Sequence, residues 1–372
     1  MKILCDREQL LSAFQTAAAV APARSPKPVL QTVKLEATKE GVMLLATDLE
    51  IGIRIKVEGV EVEASGNVLL PVVHFGSILR ESGGDSRLLI ETTNSGATVK
   101  GERSEFRLQS LNPDEFPSVT QFTEGKYHEV PRRLFRELIR RTLFATDNES
   151  SRYALGGVLV EMHEKQIIAV GTDGRRLAKM EGPATSVGGH QTGDTMTIVP
   201  ARAMQLMDRA FTDADETVQI AARPNDILVR SQRVTIYSRL VEGRFPKWRD
   251  VFPQRHDVQK IELPVGPFFA SVRQAMIVTS EESRGVDFTF SEGMCLLAAK
   301  AAEVGQSHVE LPISYNGPSI SITLDPRFMS DFLKVLDPGK TFTMELKDAG
   351  SAAVCHTDDG YGYVIMPLAR DR

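Results

Sequence analysis

NPDEFPSV at 112–119, EGRFPKW at 242–248 and YVIMPL at 363–368 each close a strand-rich stretch with a proline, at Pro117, Pro246 and Pro367. These prolines lie 129 and 121 residues apart. A second series opens helix-like segments: Pro71 before VVHFGSILRES, Pro200 before ARAMQLMDRAF and Pro326 before RFMSDFLKVL, at spacings of 129 and 126. A third pair, ATDLEIGIRI at 46–55 and GTDGRRLAKM at 171–180, sets Thr47 and Thr172 125 residues apart. Proline punctuates element boundaries in any protein, so one series alone carries little weight. Three landmarks recurring near 125 residues indicate one structural plan used three times, with boundaries near 1–127, 128–255 and 256–372.

Within each copy the elements come in the same order. An early helix is expected at 7–20, 131–146 and 264–280, and a later one at 71–82, 200–211 and 326–336. Prolines 71, 131, 200, 264 and 326 stand at helix starts, where the missing N–H is not needed and the preset φ suits the first turn. Between the helices lie alternating runs such as VKLEAT, GVMLLAT, IGIRIKVEG, RVTIYSRL and SISITL, the period of half-buried antiparallel strands. The fold class is therefore α+β: three similar domains, each an antiparallel sheet with two helices.

Composition removes many alternatives. At 42% hydrophobic and 25% charged, the 372-residue chain can bury a core and is neither collagen-like nor disordered. No apolar run approaches the ~20 residues of a membrane span, and MKILCDREQL lacks a signal-peptide core. Cys5, Cys295 and Cys355 are scattered, without the spacing of a zinc site or a disulfide framework, which points to a reducing, cytoplasmic setting. Gly339-Lys340-Thr341 lacks the preceding glycine and strand of a phosphate loop. No nucleophile motif, calcium loop or metal-ligand spacing is present, so no catalytic residue, metal or cofactor is expected.

The strongest local signal is electrostatic. Segment 131–146 carries Arg132, Arg133, Arg136, Arg140 and Arg141 against Glu137 alone. At about 100° per residue, Arg132, Arg133, Arg136 and Arg140 fall within one arc, opposite an apolar stripe of Leu134, Phe135, Leu138 and Ile139. Counted over 7–20, 71–82, 131–146, 200–211, 264–284 and 325–337, the helical segments sum to +4 while the chain is −5, so strands and loops carry the acidity. Positive helices on an acidic body suggest a surface facing a polyanion.

Taken in order, the threefold repeat, TDGRRLA at 172–178, LVEGRFPKW at 240–248, SRGV at 283–286 and the C-terminal YVIMPL resemble the bacterial DNA polymerase III beta subunit family, the sliding clamps, over essentially the whole chain. The resemblance implies a DNA clamp fold: a head-to-tail homodimeric ring whose helices line a hole around duplex DNA. It implies a non-catalytic processivity factor that tethers the replicative polymerase, the clamp loader and repair proteins through linear peptides. Arg24, Arg152, Tyr153 and Arg202 match DNA-contacting positions, beside the Arg132, Arg136 and Arg140 face. A peptide cleft is implied at Leu155, Thr172, Gly174, Arg175, Arg176, Leu177, Pro246, Val251, Val364, Ile365, Met366, Pro367 and Leu368. Phe106 and Leu108 match one side of the ring joint, with Ile277 and Val278 as the other. Ala154 stands where the family often has an aromatic residue, and Arg175 where histidine is common. Two rival readings are a nucleotide-using enzyme, which lacks its motifs, and a monomeric three-domain peptide-binding adaptor without DNA.

Overall fold

The structure, a computed structural model, describes residues 1–93, 96–147, 154–193, 195–211, 217–252 and 257–368. Seven α-helices occur among them: α1 Arg7–Ala18, α2 Val72–Glu81, α3 Arg132–Arg140, α4 Ala201–Ala210, the short α5 Trp248–Val251, α6 Val265–Ala275 and α7 Pro326–Lys334. Six fall where the sequence predicts them; α5 is additional. The three-domain α+β fold of antiparallel sheets is the one observed.

Strands of different repeats pair with each other, and by contact the chain divides into two compact units. The first comprises Met1–Phe135, Met162–Lys165 and Ala184–Leu240; the second comprises Arg136–Glu161, Gln166–Pro183 and Val241–Arg372. Strand pairing explains why the repeats merge. In the first unit Val234–Arg239 pairs antiparallel with Ile51–Val57, with Tyr237 opposite Gly52, so strands from two repeats form one nine-stranded sheet. In the second unit Arg176–Pro183 pairs with Tyr361–Ile365, with Leu177 opposite Val364. The first unit also holds a five-stranded sheet in the order Val60–Ala64, Lys2–Asp6, Arg87–Thr93, Gly96–Lys100, Glu105–Gln109. The second holds a four-stranded sheet in the order Gly305–Pro312, Met294–Ala301, Val286–Ser291, Ile320–Leu324.

Each helix buries one stripe. In α1 Leu10, Ala13, Phe14 and Ala17 face inward, and Phe14 meets Phe75 of α2 edge-on at 4.9 Å. The prolines sit one place earlier than the sequence suggests: Pro71, Pro200 and Pro264 are N-caps with no side-chain cap bond, and only Pro326 is the first helical residue. An N-cap has extended ψ, which a strand's last proline already supplies. Where proline enters the helix, the Asp325 carboxylate caps it, accepting the Arg327 N–H at 3.0 Å; Asp6 caps α1 by accepting Gln9 N–H at 2.9 Å.

Helices α3 and α6 stop short of 146 and 280. Each passes into a 3₁₀ turn, Leu143–Ala145 and Met276–Val278. The buried Thr142 hydroxyl donates back to Leu138 O at 2.5 Å, a bond that competes with helix propagation. Thr142 O also lies so close to Gly171 that a Cβ there would meet it at 2.2 Å.

The Thr-Asp landmarks are one turn built twice. Thr47 Oγ1 accepts Leu49 N–H and donates to Ile51 O; Thr172 Oγ1 accepts Gly174 N–H and donates to Arg176 O. Asp48 and Asp173 each accept two further N–H groups. The third residue is left-handed in both, Leu49 at φ 81° and Gly174 at φ 86°.

A buried histidine pair ties three segments of the first unit together. His128 Nδ1 lies 2.7 Å from His190 Nδ1, and His128 Nε2 lies 2.7 Å from His163 O. A carbonyl only accepts, so His128 carries its proton on Nε2 and its Nδ1 accepts the Nδ1–H of His190. His190 Nε2 lies 3.1 Å from Ala222 N and 3.2 Å from Ala222 O, so it can accept from the one or donate to the other. Burial favours the neutral form of both rings and holds both pKa values below the ordinary histidine range, against the backbone bonds to His163 and Ala222 that favour the charged form.

Candidate functional site

The basic face of α3 is narrower than the arc implies. Arg133 and Arg140 are exposed and Arg136 is partly buried, but Arg132 is only 3% exposed. As the first helical residue it projects back toward the helix start, and its guanidinium donates to Phe211 O at 2.5 Å, the carbonyl that ends α4. Arg132 is thus a cap for another helix, not part of an outward cationic row. Arg202 is 54% exposed at its side chain, yet its guanidinium pairs with Asp48 and donates to Val20 O. Its charge is largely committed to bracing α4 against the first Thr-Asp turn. Arg24 is exposed in the loop after α1. Arg152 and Tyr153 lie outside the described residues.

A pattern missed in the sequence appears once helix starts are known. Nine residues after the position preceding each long helix stand Gln15, Arg80, Arg140, Arg209, Arg273 and Lys334. All six are exposed, and five are cations in the last helical turn. There a positive charge also favours the helix dipole, by about 0.3–1 kcal/mol. For Arg80, Arg140, Arg209 and Arg273 the nine-residue spacing from Pro71, Pro131, Pro200 and Pro264 was the available signal.

The residues of the second Thr-Asp turn converge in the second unit around Arg176. Its guanidinium donates to Asp173 at 3.0 Å, to Asp331 of α7 at 2.6 Å and to Phe144 O at 2.8 Å, and lies over the Phe328 ring at 4.4 Å. Burial alone would weaken its charge, but Tyr363, Asp331 and Asp173 outweigh it and raise the pKa. Phe144, Phe328 and Asp331 are neighbours that the sequence did not single out. Met366 N–H donates to Arg175 O at 2.9 Å, and Leu368 N–H donates to Thr323 O at 2.9 Å. The chain end is thereby laid from the 172–176 turn to the edge of the four-stranded sheet.

Exposure divides the thirteen expected cleft residues. Leu155, Thr172, Leu177, Val364 and Ile365 are buried, the last four within paired strands, so they support the surface rather than form it. Gly174, Arg175, Val251 and Met366 are exposed, and Arg176, Pro246, Pro367 and Leu368 are partly so. Beside them lies a cleft of about 490 Å³ lined by Met366, Pro367 and Leu368 together with Ser321, Thr323, Ala349 and Gly350.

Phe106 and Leu108 are partly buried on Glu105–Gln109, an edge strand of the five-stranded sheet. Ile277 is 74% exposed at the end of α6, and Val278 is partly buried beside it. Ser307 of the edge strand Gly305–Pro312 donates to Ala275 O at 2.9 Å, so that edge runs along the same helix end. Two sheet edges with neighbouring apolar groups are thus unpaired among the described residues.

Among the described residues no three His, Cys, Asp or Glu side chains gather as a metal site, and no helix is long and apolar enough to cross a membrane. All three cysteines are free and buried, and burial pushes the Cys5 and Cys295 thiols up to about 12.

Comparison with known proteins agrees with this architecture. The chain matches the DNA polymerase III beta subunit N-terminal domain over residues 1–120, its central domain over 129–247 and its C-terminal domain over 249–369. It is 28% identical to the beta sliding clamp of Chlamydia muridarum over 369 residues, 99% of each chain. It is 29% identical to that of Pseudomonas putida over 376 residues, covering 99% of this chain and 100% of the other. A crystal structure of the DNA polymerase III subunit beta from Pseudomonas aeruginosa bound to griselimycin superposes with a TM-score of 0.91 at 27% identity, covering 100% of both chains. The chain therefore belongs to the DNA polymerase III beta subunit family, the bacterial beta sliding clamps.

Proposed function

We propose that two copies of this chain close head to tail into a ring around duplex DNA, and that the ring tethers the replicative polymerase, the clamp loader and repair proteins by peptides held in the cleft at Met366–Leu368. The role is that of a cytoplasmic, non-catalytic processivity factor. The three domains are assigned to 1–127, 128–255 and 256–372. Ring closure would join the edge Glu105–Gln109, with Phe106 and Leu108, to the edge Gly305–Pro312, with Ile277 and Val278, so that each exposed strand gains a partner.

The recurrence of an exposed cation at one position in five of six long helices, on a chain of net charge −5, carries this reading. Regular, sparse positive charge suits a protein retained by topology. Every phosphate contact adds affinity and salt dependence, with a slope of about −0.9 per contact on duplex DNA, so a sliding ring gains by having few. Arg24, Arg152 and Tyr153 would supplement them. The direct test is retention on nicked circular DNA before and after linearisation. A ring slides off free ends; equal retention on both forms would overturn the proposal. A native mass of one chain, 41.0 kDa, at micromolar concentration would favour a monomeric adaptor instead.

A further inference from the structure

Ile320–Leu324 ends the four-stranded sheet and pairs on one side with Val286–Ser291, setting Thr323 opposite Asp287 and Ser321 opposite Thr289. Thr323 O accepts the Leu368 N–H, so the Thr323 backbone faces away from the sheet. Backbone direction alternates along an antiparallel strand, and Ser321, two residues earlier, therefore also turns its N–H and C=O outward. No described residue bonds to either group. Ser321 is exposed and lines the 490 Å³ cleft, a volume within the ~300–1,000 Å³ typical of ligand sites.

The donors of this cleft can be counted. Met366 N–H is committed to Arg175 O, Leu368 N–H to Thr323 O and Gly350 N–H to the Asp348 carboxylate. Pro367 has none. No lining side chain carries a charge. An occupant must therefore bring apolar side chains for Met366, Pro367 and Leu368, and it must satisfy its own backbone against the Ile320–Leu324 edge, which is open at Ser321 among the described residues. We propose that a partner peptide binds here in extended form, as a strand added to Ile320–Leu324, with Ser321 N–H and C=O as its main-chain partners. This rests on the peptide-cleft reading above and specifies its mode of recognition. The Leu368 to Thr323 bond is the first rung of the same ladder. Main-chain bonding of this kind supplies affinity with little sequence demand, while the apolar lip selects side chains.

Ser321→Pro tests the idea, because proline deletes one outward N–H and is tolerated on an edge strand where that N–H faces away from the sheet. Ser321→Ala keeps the N–H and serves as control. The probe is the tightest binder among overlapping 15-residue peptides tiling the same organism's replicative polymerase, measured by fluorescence anisotropy on the full-length protein. We expect Ser321→Ala to bind within two-fold of wild type and Ser321→Pro about ten-fold more weakly, equivalent to ~1.4 kcal/mol. Amide exchange over residues 319–324 should slow when the peptide is added to wild type. Unchanged binding by Ser321→Pro, or unslowed exchange, would overturn strand addition. Met366→Ala with Leu368→Ala separates the two levels. If that pair abolishes binding while Ser321→Pro does not, only the strand mode fails; if neither matters, or no tiled peptide binds, the cleft reading falls with it.

Discussion

Acidification should loosen the first unit through His128 and His190. Both rings are buried and neutral in a closed chain of bonds from His163 O to Ala222 N–H. A proton added at His190 Nε2 gives up the Ala222 N–H and turns to Ala222 O at 3.2 Å, still inside a buried site, and one added at His128 Nδ1 must displace the His190 N–H. Burial lowers both folded pKa values below the unfolded ~6.5; the backbone bonds to His163 and Ala222, and the Glu124 carboxylate at His190, pull the other way without prevailing. The unfolded chain then binds more protons than the folded one. The pair's contribution is complete above pH 6.5 and is lost as pH falls from there toward the folded pKa values. Each histidine held neutral costs about 1.4 kcal/mol per pH unit in that window. Two of them give a slope of up to about 2.7 kcal/mol per pH unit while both stay neutral, and about half that once the pair comes to share one proton. Against a typical total of ~5–15 kcal/mol, this is large. Urea unfolding monitored by circular dichroism at pH 7.5 and 5.0 measures it, with His128→Gln/His190→Gln as reference so that other acid effects cancel. Equal pH losses in wild type and double variant would refute the assignment of buried neutral rings.

Particular contacts give three further expected outcomes. Arg132→Met should destabilise by about 1–3 kcal/mol, leaving Phe211 O unbonded, without altering the salt dependence of DNA retention; Arg140→Gln should do the reverse, and identical salt slopes for both would count against the cation pattern. Arg176→Met should cost roughly 3 kcal/mol in thermal unfolding by stranding the mostly buried Asp173, and adding Asp173→Asn should recover part of it. Gly174→Ala should cost about 1–2 kcal/mol, because open space surrounds the site and only the positive φ penalises a side chain. Leu49→Gly at the matching turn should not destabilise; a loss there would mean that Leu49 packs more than its exposure suggests.

What could be read from the sequence was set by local physics. Proline and the Thr-Asp turn act over a few residues, so their spacing revealed the repeat and six helices. Helix ends were overshot at Thr142 and Met276 because a hydroxyl back-bond and a close strand decide them. Long-range register was hidden: nothing in the sequence shows that Tyr237 faces Gly52 or Leu177 faces Val364, the pairings that merge three repeats into two packed units. Charge was legible as composition but not as partnership. Arg132 and Arg202 read as surface cations, yet Phe211 O and Asp48 claim them. The apolar C-terminal segment was recognisable, whereas the burial of Val364 and Ile365 depended on a strand arriving from another repeat.

The twin Thr-Asp turns differ in their surroundings. At the first, Ile51 stands four residues after Thr47, and Asp48 takes its arginine from α4; the neighbouring strand ends in Arg239, which donates its N–H to Glu50 O and pairs with the Glu50 carboxylate. At the second, Arg176 serves Asp173 from within the strand, and Met366 takes the place of Arg239 by donating to Arg175 O. One location is sealed by ions and the other is left greasy. Under the proposed function, only the second of these two turns offers a partner a seat, and a two-subunit assembly would carry two equivalent ones. Passengers could then trade places on the template by moving from one seat to the other, with neither having to leave before its successor arrives.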